Sequence, residues 1–221
     1  MSIDLGEFEQ QKERNYGPVP SGSYVLLKMN IVDAGKNAHP KESRVFVSSR
    51  TGLHMLSCEF TVASGTYEGV KWRELWMLPV GRQPQNVTMT KGQNTACMIS
   101  ASKMRAVVEA ARGVDPSATD SNSRMKRQLN SLMDMDGMTF PARLKVDDGR
   151  EYEGKTYYNN VVDLIITPDR QQYALVMNGG EDINPNGFTG RTEQKTPASD
   201  EGYTDMMNSA PAYPSESDVP F

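Results

Sequence analysis

The residues whose types suggest chemistry are aromatic side chains interleaved with lysine and arginine along strand-like segments. A flat ring can stack on a nucleobase and a cation can pair with a phosphate, so this mixture suits the binding of a single nucleic-acid strand. Stacking contributes about 1–3 kcal/mol per base and accepts any base. The candidate residues are Tyr24, Lys28, Arg44, Phe46, Arg50, Tyr67, Lys71, Trp72, Arg73, Trp76, Tyr152, Lys155 and Tyr157.

The same residue types also have a purely structural interpretation. Aromatic residues on strands more often fill a core than stack on a ligand, so at least one of Trp72 and Trp76 should be buried. Arg44, Phe46 and Arg50 lie instead in a polar excursion after the first strand, where the sequence offers little that could bury them. We therefore expect these three side chains to be exposed.

The net charge of -4 hides an uneven distribution along the chain. Residues 16–178 carry 20 Lys and Arg against 16 Asp and Glu, whereas residues 179–221 carry 2 against 8. A basic body therefore precedes an acidic end, and the body can attract a polyanion despite the acidic total. The hydrophobic content of 37% fits a compact core with polar appendages.

Residues that could support catalysis or bind a metal are few. The two histidines are not spaced as a metal pair, no Cys/His cluster of the zinc type occurs, and the glycine-rich phosphate-binding motifs are missing. Two pairs of carboxylates fall near a helix end and in a turn, where solvated acids are expected. We therefore expect no enzyme activity, no cofactor and no metal site. The residues concerned are His39, His54, Asp134, Asp136, Asp147 and Asp148.

The two cysteines, Cys58 and Cys97, lie in apolar stretches typical of free buried thiols, which indicates a reducing compartment. The first residues lack an apolar signal segment, and no apolar run approaches the length of a membrane span. The sequence therefore predicts a cytoplasmic protein.

Apolar alternation predicts five main strands, with a helix between the third and the fourth. That helix is expected over 103–112, ending at Gly113, and a second amphipathic helix over 124–135. Residues 33–52 predict a short β-hairpin, and the sequence DDGR at 147–150 predicts a hairpin turn before the last strand. The five strands are predicted at 24–31, 53–63, 69–78, 139–146 and 156–167.

This order of elements is the connectivity of a five-stranded OB-type barrel. The predicted fold is therefore mainly β, with the barrel, its helix between strands 3 and 4, an extra helix and a disordered C-terminal tail. The predicted boundaries are an N-terminal arm at 1–16, the barrel domain at 17–178 and the acidic tail at 179–221. The tail is rich in Gly, Asn, Pro, Ser and acids, and it cannot bury enough apolar surface to offset the entropy of ordering.

The chain ends in SESDVPF, residues 215–221. Acidic residues followed by an apolar residue, a proline and a final phenylalanine resemble the tail tip of bacterial and phage single-stranded DNA-binding proteins. In that family the tip docks on replication and repair enzymes, which implies a docking role for Asp218, Val219, Pro220 and Phe221. The physical chemistry agrees, because the phenyl ring can enter an apolar pocket while the carboxylates meet a basic rim. Val219 and the single adjacent acid depart from the commoner bacterial form, so the partner stays open.

Motifs in the body also resemble phage-encoded single-stranded DNA-binding proteins. They are PSGSY at 20–24, GTYEG at 65–69, the helix at 104–113 and a second Tyr-Glu-Gly at 152–154. The resemblance implies an OB barrel that coats single-stranded DNA without sequence preference during phage replication or recombination, in the host cytoplasm, while the tail recruits partner proteins.

Three alternatives remain open at this point. A β-barrel interaction or virion structural protein would not bind DNA. A small nuclease would degrade DNA in the presence of Mg²⁺. A strand-annealing protein would bind single strands but would also assemble into rings or filaments.

Overall fold

The computed structural model describes residues 17–152 and 154–179. It is mainly β, as predicted, and contains a curled antiparallel sheet with three α-helices in the described part of the chain. The predicted arm and all but the first residue of the predicted tail lie outside the described residues. The strands are β1 (Tyr24–Ile31), β2 (Ala38–His39), β3 (Glu42–Val47), β4 (His54–Val62), β5 (Lys71–Met77), β6 (Thr139–Val146), β7 (Arg150–Tyr152), β8 (Lys155–Tyr157) and β9 (Asn160–Ile165).

In the described part of the chain, two α-helices and three short 3-10 turns lie between these strands, and a third α-helix follows β9. The helices are α1 (Lys91–Ala111), α2 (Ser121–Arg127) and α3 (Gln172–Met177). The 3-10 turns are Gly35–Asn37, Val80–Arg82 and Leu132–Met135.

Strand β4 is the centre of a seven-stranded antiparallel sheet. One of its edges pairs with β5, and the other pairs with β1 along one half and with β3 near its start. From β1 the sheet continues through β6 to β9, while β2 pairs with β3 and so forms the hairpin predicted within 33–52. Strands β7 and β8 form a separate two-stranded ribbon.

Strands β1 and β6 have the bounds that the sequence predicts, and in β1 every second residue is buried. In β1, Val25, Leu27, Met29 and Ile31 are buried, whereas Lys28 between them is exposed. Most buried residues of β1, β4, β5 and β6 point inward into one core, whereas Met55 of β4 is buried in a second, smaller cluster. Four aromatic rings meet there: Phe60 packs against Trp72, Trp76 and Phe140 with ring centroids 5.6, 5.4 and 6.3 Å apart.

Helix α1 begins 12 residues before the predicted start of its helix. The prediction relied on the apolar stripe that starts at Met104, and this stripe packs into the main core as expected. The first half of the helix carries few apolar residues and is set by a capping box instead. Thr90 Oγ1 accepts from the Gln93 N–H, and the Gln93 side chain accepts from the Thr90 N–H.

The single helix predicted over 124–135 is wrong, because the chain forms α2 and a separate 3-10 turn in this region. Helix α2 ends where Gln128 adopts an extended conformation. The segment is anchored to α1 by Arg127, whose Nε donates to the buried Glu109 carboxylate at 2.6 Å. This ion pair therefore holds α2 against α1, on the α1 side of the molecule.

The sheet curls, but among the described residues no backbone pairing joins two of its edge strands, β5 and β9. Side chains close the seam between them. Glu74 of β5 accepts a hydrogen bond from the Val162 N–H of β9 at 2.7 Å, and Lys103 of α1 donates to the Val162 carbonyl at 2.9 Å. The Glu74 carboxylate also accepts from both indoles, Trp72 Nε1 at 3.0 Å and Trp76 Nε1 at 2.9 Å.

Replacing Glu74 by Gln should destabilise the protein by about 2 kcal/mol, because three N–H donors share this carboxylate and an amide offers them only one oxygen. The measurement is the free energy of unfolding in urea. The matched control is Glu59→Gln on the outer side of the sheet, whose ion pair with the exposed Arg73 should contribute about 0–1 kcal/mol. Equal losses in the two variants would contradict the role of Glu74 at the seam.

Candidate nucleic-acid interface

The outward side of β1, β4 and β5 carries a patch of polar residues, here called the outer sheet face. Lys28 of β1 lies opposite Thr61 of β4, which lies opposite Lys71 of β5. In the next row Glu59 lies opposite Arg73. Both lysines and Arg73 are exposed, so three cations project from two neighbouring rows of the sheet.

The register explains the spacing of these cations. Neighbouring strands lie about 4.8 Å apart, so the backbones of Lys28 and Lys71, two strands apart, are separated by about 10 Å. Arg73 is partly neutralised, because its Nε donates to Glu59 Oε2 at 3.2 Å. The two lysines have no ion-pair partner among the described residues.

Tyr24 lies near this face, at the start of β1, and is half-buried. Its register partner on β6 is Arg143. Burial opposes the charge of Arg143, but the hydrogen bond to Asp163 at 2.7 Å and the contact with Tyr24 outweigh it, so the pKa of the guanidinium is raised above its usual value. Arg143 therefore stays charged but is already occupied by a carboxylate.

Both tryptophans are buried, which corrects the prediction that they stack on bases. Trp72 is 6% exposed and Trp76 is 2% exposed, and their inward position follows from the alternation of β5. A base cannot stack on a ring whose faces are covered by the core. Glu74 lies between them on the same inward side. It was not among the predicted residues, although a lone acid flanked by two inward aromatics in W-x-E-x-W was a visible signal.

Phe46 is also buried, at 1% exposure, so its predicted exposure is wrong. Because β3 pairs with β4, Phe46 lies opposite Met55, and with Ala34 it forms a small second core. The two basic residues of the excursion are exposed as predicted. Arg50 lies in the turn after β3, and Arg44 Nη1 donates to Asp136 at 3.1 Å.

Tyr67 lies in the turn between β4 and β5, where it is half-buried and packs against the main core. This contact limits its use as a stacking platform. The side chains of Tyr152 and Lys155 lie outside the described part of the structure, as do the predicted docking residues Asp218, Val219, Pro220 and Phe221.

The ribbon of β7 and β8 presents the exposed aromatic surface. Tyr157 and Tyr158 are each 53% exposed. Tyr158 was not among the predicted site residues, although its position next to Tyr157 in the sequence could have indicated it. The turn at 147–150 was predicted to join the last two strands directly. It does not, because β7 and β8 are inserted between β6 and β9.

Two short contacts hold the base of this ribbon. Asp147, expected to be a solvated turn residue, accepts from the Gly149 N–H at 3.2 Å and from the Asn159 N–H at 2.9 Å. The Tyr158 ring lies against Gly149, where a Cβ atom would come within 2.6 Å of the ring carbon Cε1. Gly149 also has a φ of +79°, so a side chain at this position is strained in conformation and requires neighbouring side chains to shift.

The outer sheet face lies between two hairpins. The ribbon extends from the end of the sheet where β1 begins, since Val146 pairs with Asn160 there and donates to Ser21 Oγ. The hairpin of β2 and β3 lies at the other end of β4, beside His54. From Thr61 to His54 the strand runs seven residues, about 23 Å. Ser57 and Met55 are buried on the outward side, so the open part of this face is the half near Thr61 and Glu59.

The two histidines, far from a metal spacing in sequence, meet in the structure. The rings of His39 and His54 form an edge-to-face pair with centroids 5.0 Å apart. Burial and the neighbouring His39 lower the pKa of His54, whereas Glu42 acts in the opposite direction. Within the described residues no group of three or more His, Cys, Asp and Glu side chains is placed to hold a metal ion.

No protein-family model matches the chain, and no curated protein matches it. Among the described residues no helix combines the length and the apolar character needed to cross a membrane.

Replacing Gly149 by Ala should open the ribbon, because the new methyl group collides with the Tyr158 ring and the positive φ is unfavourable for alanine. The matched control is Gly154→Ala in the same ribbon, where φ is also positive but nothing lies within 4 Å of a Cβ atom. Hydrogen exchange at the Asn159 amide should accelerate about tenfold more in the first variant, which corresponds to about 1.4 kcal/mol. If both variants exchange alike, the Tyr158 contact does not hold the ribbon.

Proposed function

We propose that the protein binds single-stranded DNA without sequence preference. The observation that carries this proposal is the outer sheet face, with Lys28, Lys71 and Arg73 exposed, beside a ribbon that presents Tyr157 and Tyr158. The cations would follow the phosphates, and the two rings would stack on bases.

We also propose that the fold is an OB-type barrel, made of β1, β4, β5, β6 and β9. Two features support this: the pairing order β5-β4-β1-β6-β9, and the position of α1 between the third and the fourth of these strands. The two hairpins then occupy the loops after the first and fourth barrel strands, the loops that border the ligand face of OB folds. The interface argued from charge and exposure therefore coincides with the surface that such a fold uses.

The chemistry favours an unpaired strand over a duplex. Tyrosine rings that stand exposed on a ribbon can stack only on bases that are not already stacked and paired in a helix. The cations contact phosphates, which carry no sequence information. Together these contacts give affinity for any single strand.

The acidic tail is proposed to recruit replication or recombination proteins of a phage through Asp218, Val219, Pro220 and Phe221. The support is the chemistry of the sequence: a terminal aromatic ring, its carboxylate and one nearby acid suit an apolar pocket with a basic rim. Removal of these four residues should leave DNA binding intact.

The double variant Lys71→Gln/Arg73→Gln should weaken binding to dye-labelled oligo-dT by about tenfold at low salt and reduce the salt slope, log K against log[salt], by about 1.4. Fluorescence anisotropy over a range of salt concentrations measures both quantities. The matched control is Arg124→Gln/Lys126→Gln, which removes two exposed charges from α2 on the α1 side. If the control loses as much, binding depends on total charge rather than on the outer sheet face.

The double variant Tyr157→Ala/Tyr158→Ala should lose about 1–3 kcal/mol of binding free energy for each base that stacks on a ring. Tyr157→Phe/Tyr158→Phe keeps both rings and should bind like the parent chain. Tryptophan emission should change little on binding, since both indoles are buried and held by Glu74. Strong quenching by DNA would instead require an exposed tryptophan and would contradict the proposed surface.

Two results would contradict the proposal and would each favour a different function. Failure of the parent chain to bind labelled DNA at low salt would favour an interaction or virion protein. Degradation of the DNA in Mg²⁺ would favour a nuclease.

A further inference from the structure

A cleft opens beside the hairpin of β2 and β3, here called the hairpin cleft, with a volume of about 570 Å³. Its walls are that hairpin, the start of β4, and the 3-10 turns Val80–Arg82 and Leu132–Met135. This volume lies within the range of about 300–1,000 Å³ of sites that bind small organic ligands.

One wall of the hairpin cleft is cationic. Arg82 has no ion-pair partner among the described residues, and Arg44 donates only through Nη1 to Asp136, so its other donors are available. His39 Nδ1 accepts from the Lys41 N–H at 3.3 Å, which leaves Nε2 as the protonated donor nitrogen of the neutral ring. Glu42 is the acidic residue of the lining.

Four other side chains of the lining are apolar and are here called the apolar wall. Val45 and Leu78 are buried, and Leu132 and Met133 are half-buried, so a hydrophobic surface faces the cleft next to the guanidinium groups. An amphiphilic site of this kind fits a flat apolar group joined to an anion.

We infer that the hairpin cleft binds one nucleoside phosphate unit, with the phosphate on Arg82 and the histidine pair and the base on the apolar wall. Guanidinium and imidazole donors form charge-assisted hydrogen bonds to phosphate oxygens. The apolar wall and the His39 and His54 rings give the base a surface to contact. The unit could be a free nucleotide or part of a bound strand.

The lining of the cleft favours a nucleotide over an acidic peptide. The rings of His39 and His54 lie beside two guanidinium groups, which suits a base joined to a phosphate. The cleft lies at the start of β4, about 23 Å along the strand from Thr61, and main-core residues line it, so a bound strand would have to leave the outer sheet face to reach it. Binding of a nucleotide unit that is part of a DNA strand rests on the proposed function. Binding of a free nucleotide does not rest on it.

The experiment uses the full chain and the imidazole signals in NMR spectra. The chain has two histidines, and both line the cleft, so their resonances report on it alone. Titration with dAMP should shift both signals and raise the pKa of His54, because a nearby phosphate stabilises the imidazolium. Inorganic phosphate should produce the same shifts with weaker affinity, since it lacks the base.

The variants separate this site from the outer sheet face. Arg82→Gln should weaken dAMP binding by about tenfold, the loss expected for one charge-assisted hydrogen bond. The control Arg73→Gln should leave the dAMP shifts unchanged while it weakens oligo-dT binding. If the dAMP shifts persist in a chain that does not bind oligo-dT, the cleft binds nucleotides and only the proposed DNA-binding function fails.

Other outcomes overturn the inference. If dAMP moves neither imidazole signal up to millimolar concentration, or moves them equally in Arg82→Gln, the cleft is not a nucleotide site. If the dipeptide Pro-Phe moves the signals and dAMP does not, the cleft is a peptide site. Oligo-dT shifts that match those of dAMP would assign the unit to a bound strand, and their absence would assign it to a free nucleotide.

Discussion

The carboxylate of Glu74 is the interaction on which the closure of the sheet depends. It accepts from the backbone of β9 and from both indoles, and so it connects the outermost strands and the largest core side chains at one point. Lys103 supplies the complementary charge, since it donates to Val162 and lies 5.8 Å from the centre of the Trp76 ring. Burial beside this carboxylate also raises the pKa of Cys58, which keeps the thiol protonated and unreactive.

This inward network determines what the surface can offer. Trp72 and Trp76 lie in the core, and Leu75 and Met77 pack against the second core. The outward side of β5 therefore offers Lys71 and Arg73 to solvent, and the sheet presents charge without large rings. The exposed rings come from the ribbon, where two adjacent tyrosines stand clear of the core. The cations therefore lie on the sheet and the exposed rings lie on an inserted hairpin, so different substitutions can test the two contributions separately.

The sequence predicted those features that depend on local pattern. Strand β1 has the predicted bounds because every second residue is buried, whereas the start of α1 was missed because a polar capping box fixes it. Phe46 was wrongly expected to be exposed because its burial depends on Met55 and Ala34, which no local pattern brings to it. The hairpin cleft could not be predicted for the same reason: strand register, not spacing, brings His39 and His54 together.

The side-chain closure at the seam has a consequence for behaviour at high protein concentration. A sheet without a backbone-paired seam has two bare strand edges, and bare edges can recruit strands from other copies of a chain. At Val162 both backbone groups are already occupied, by an acid and a base that point inward from β5 and α1. A second chain that added a strand here would first have to displace both charged groups, so the same contacts that complete the fold also protect it against edge-to-edge aggregation.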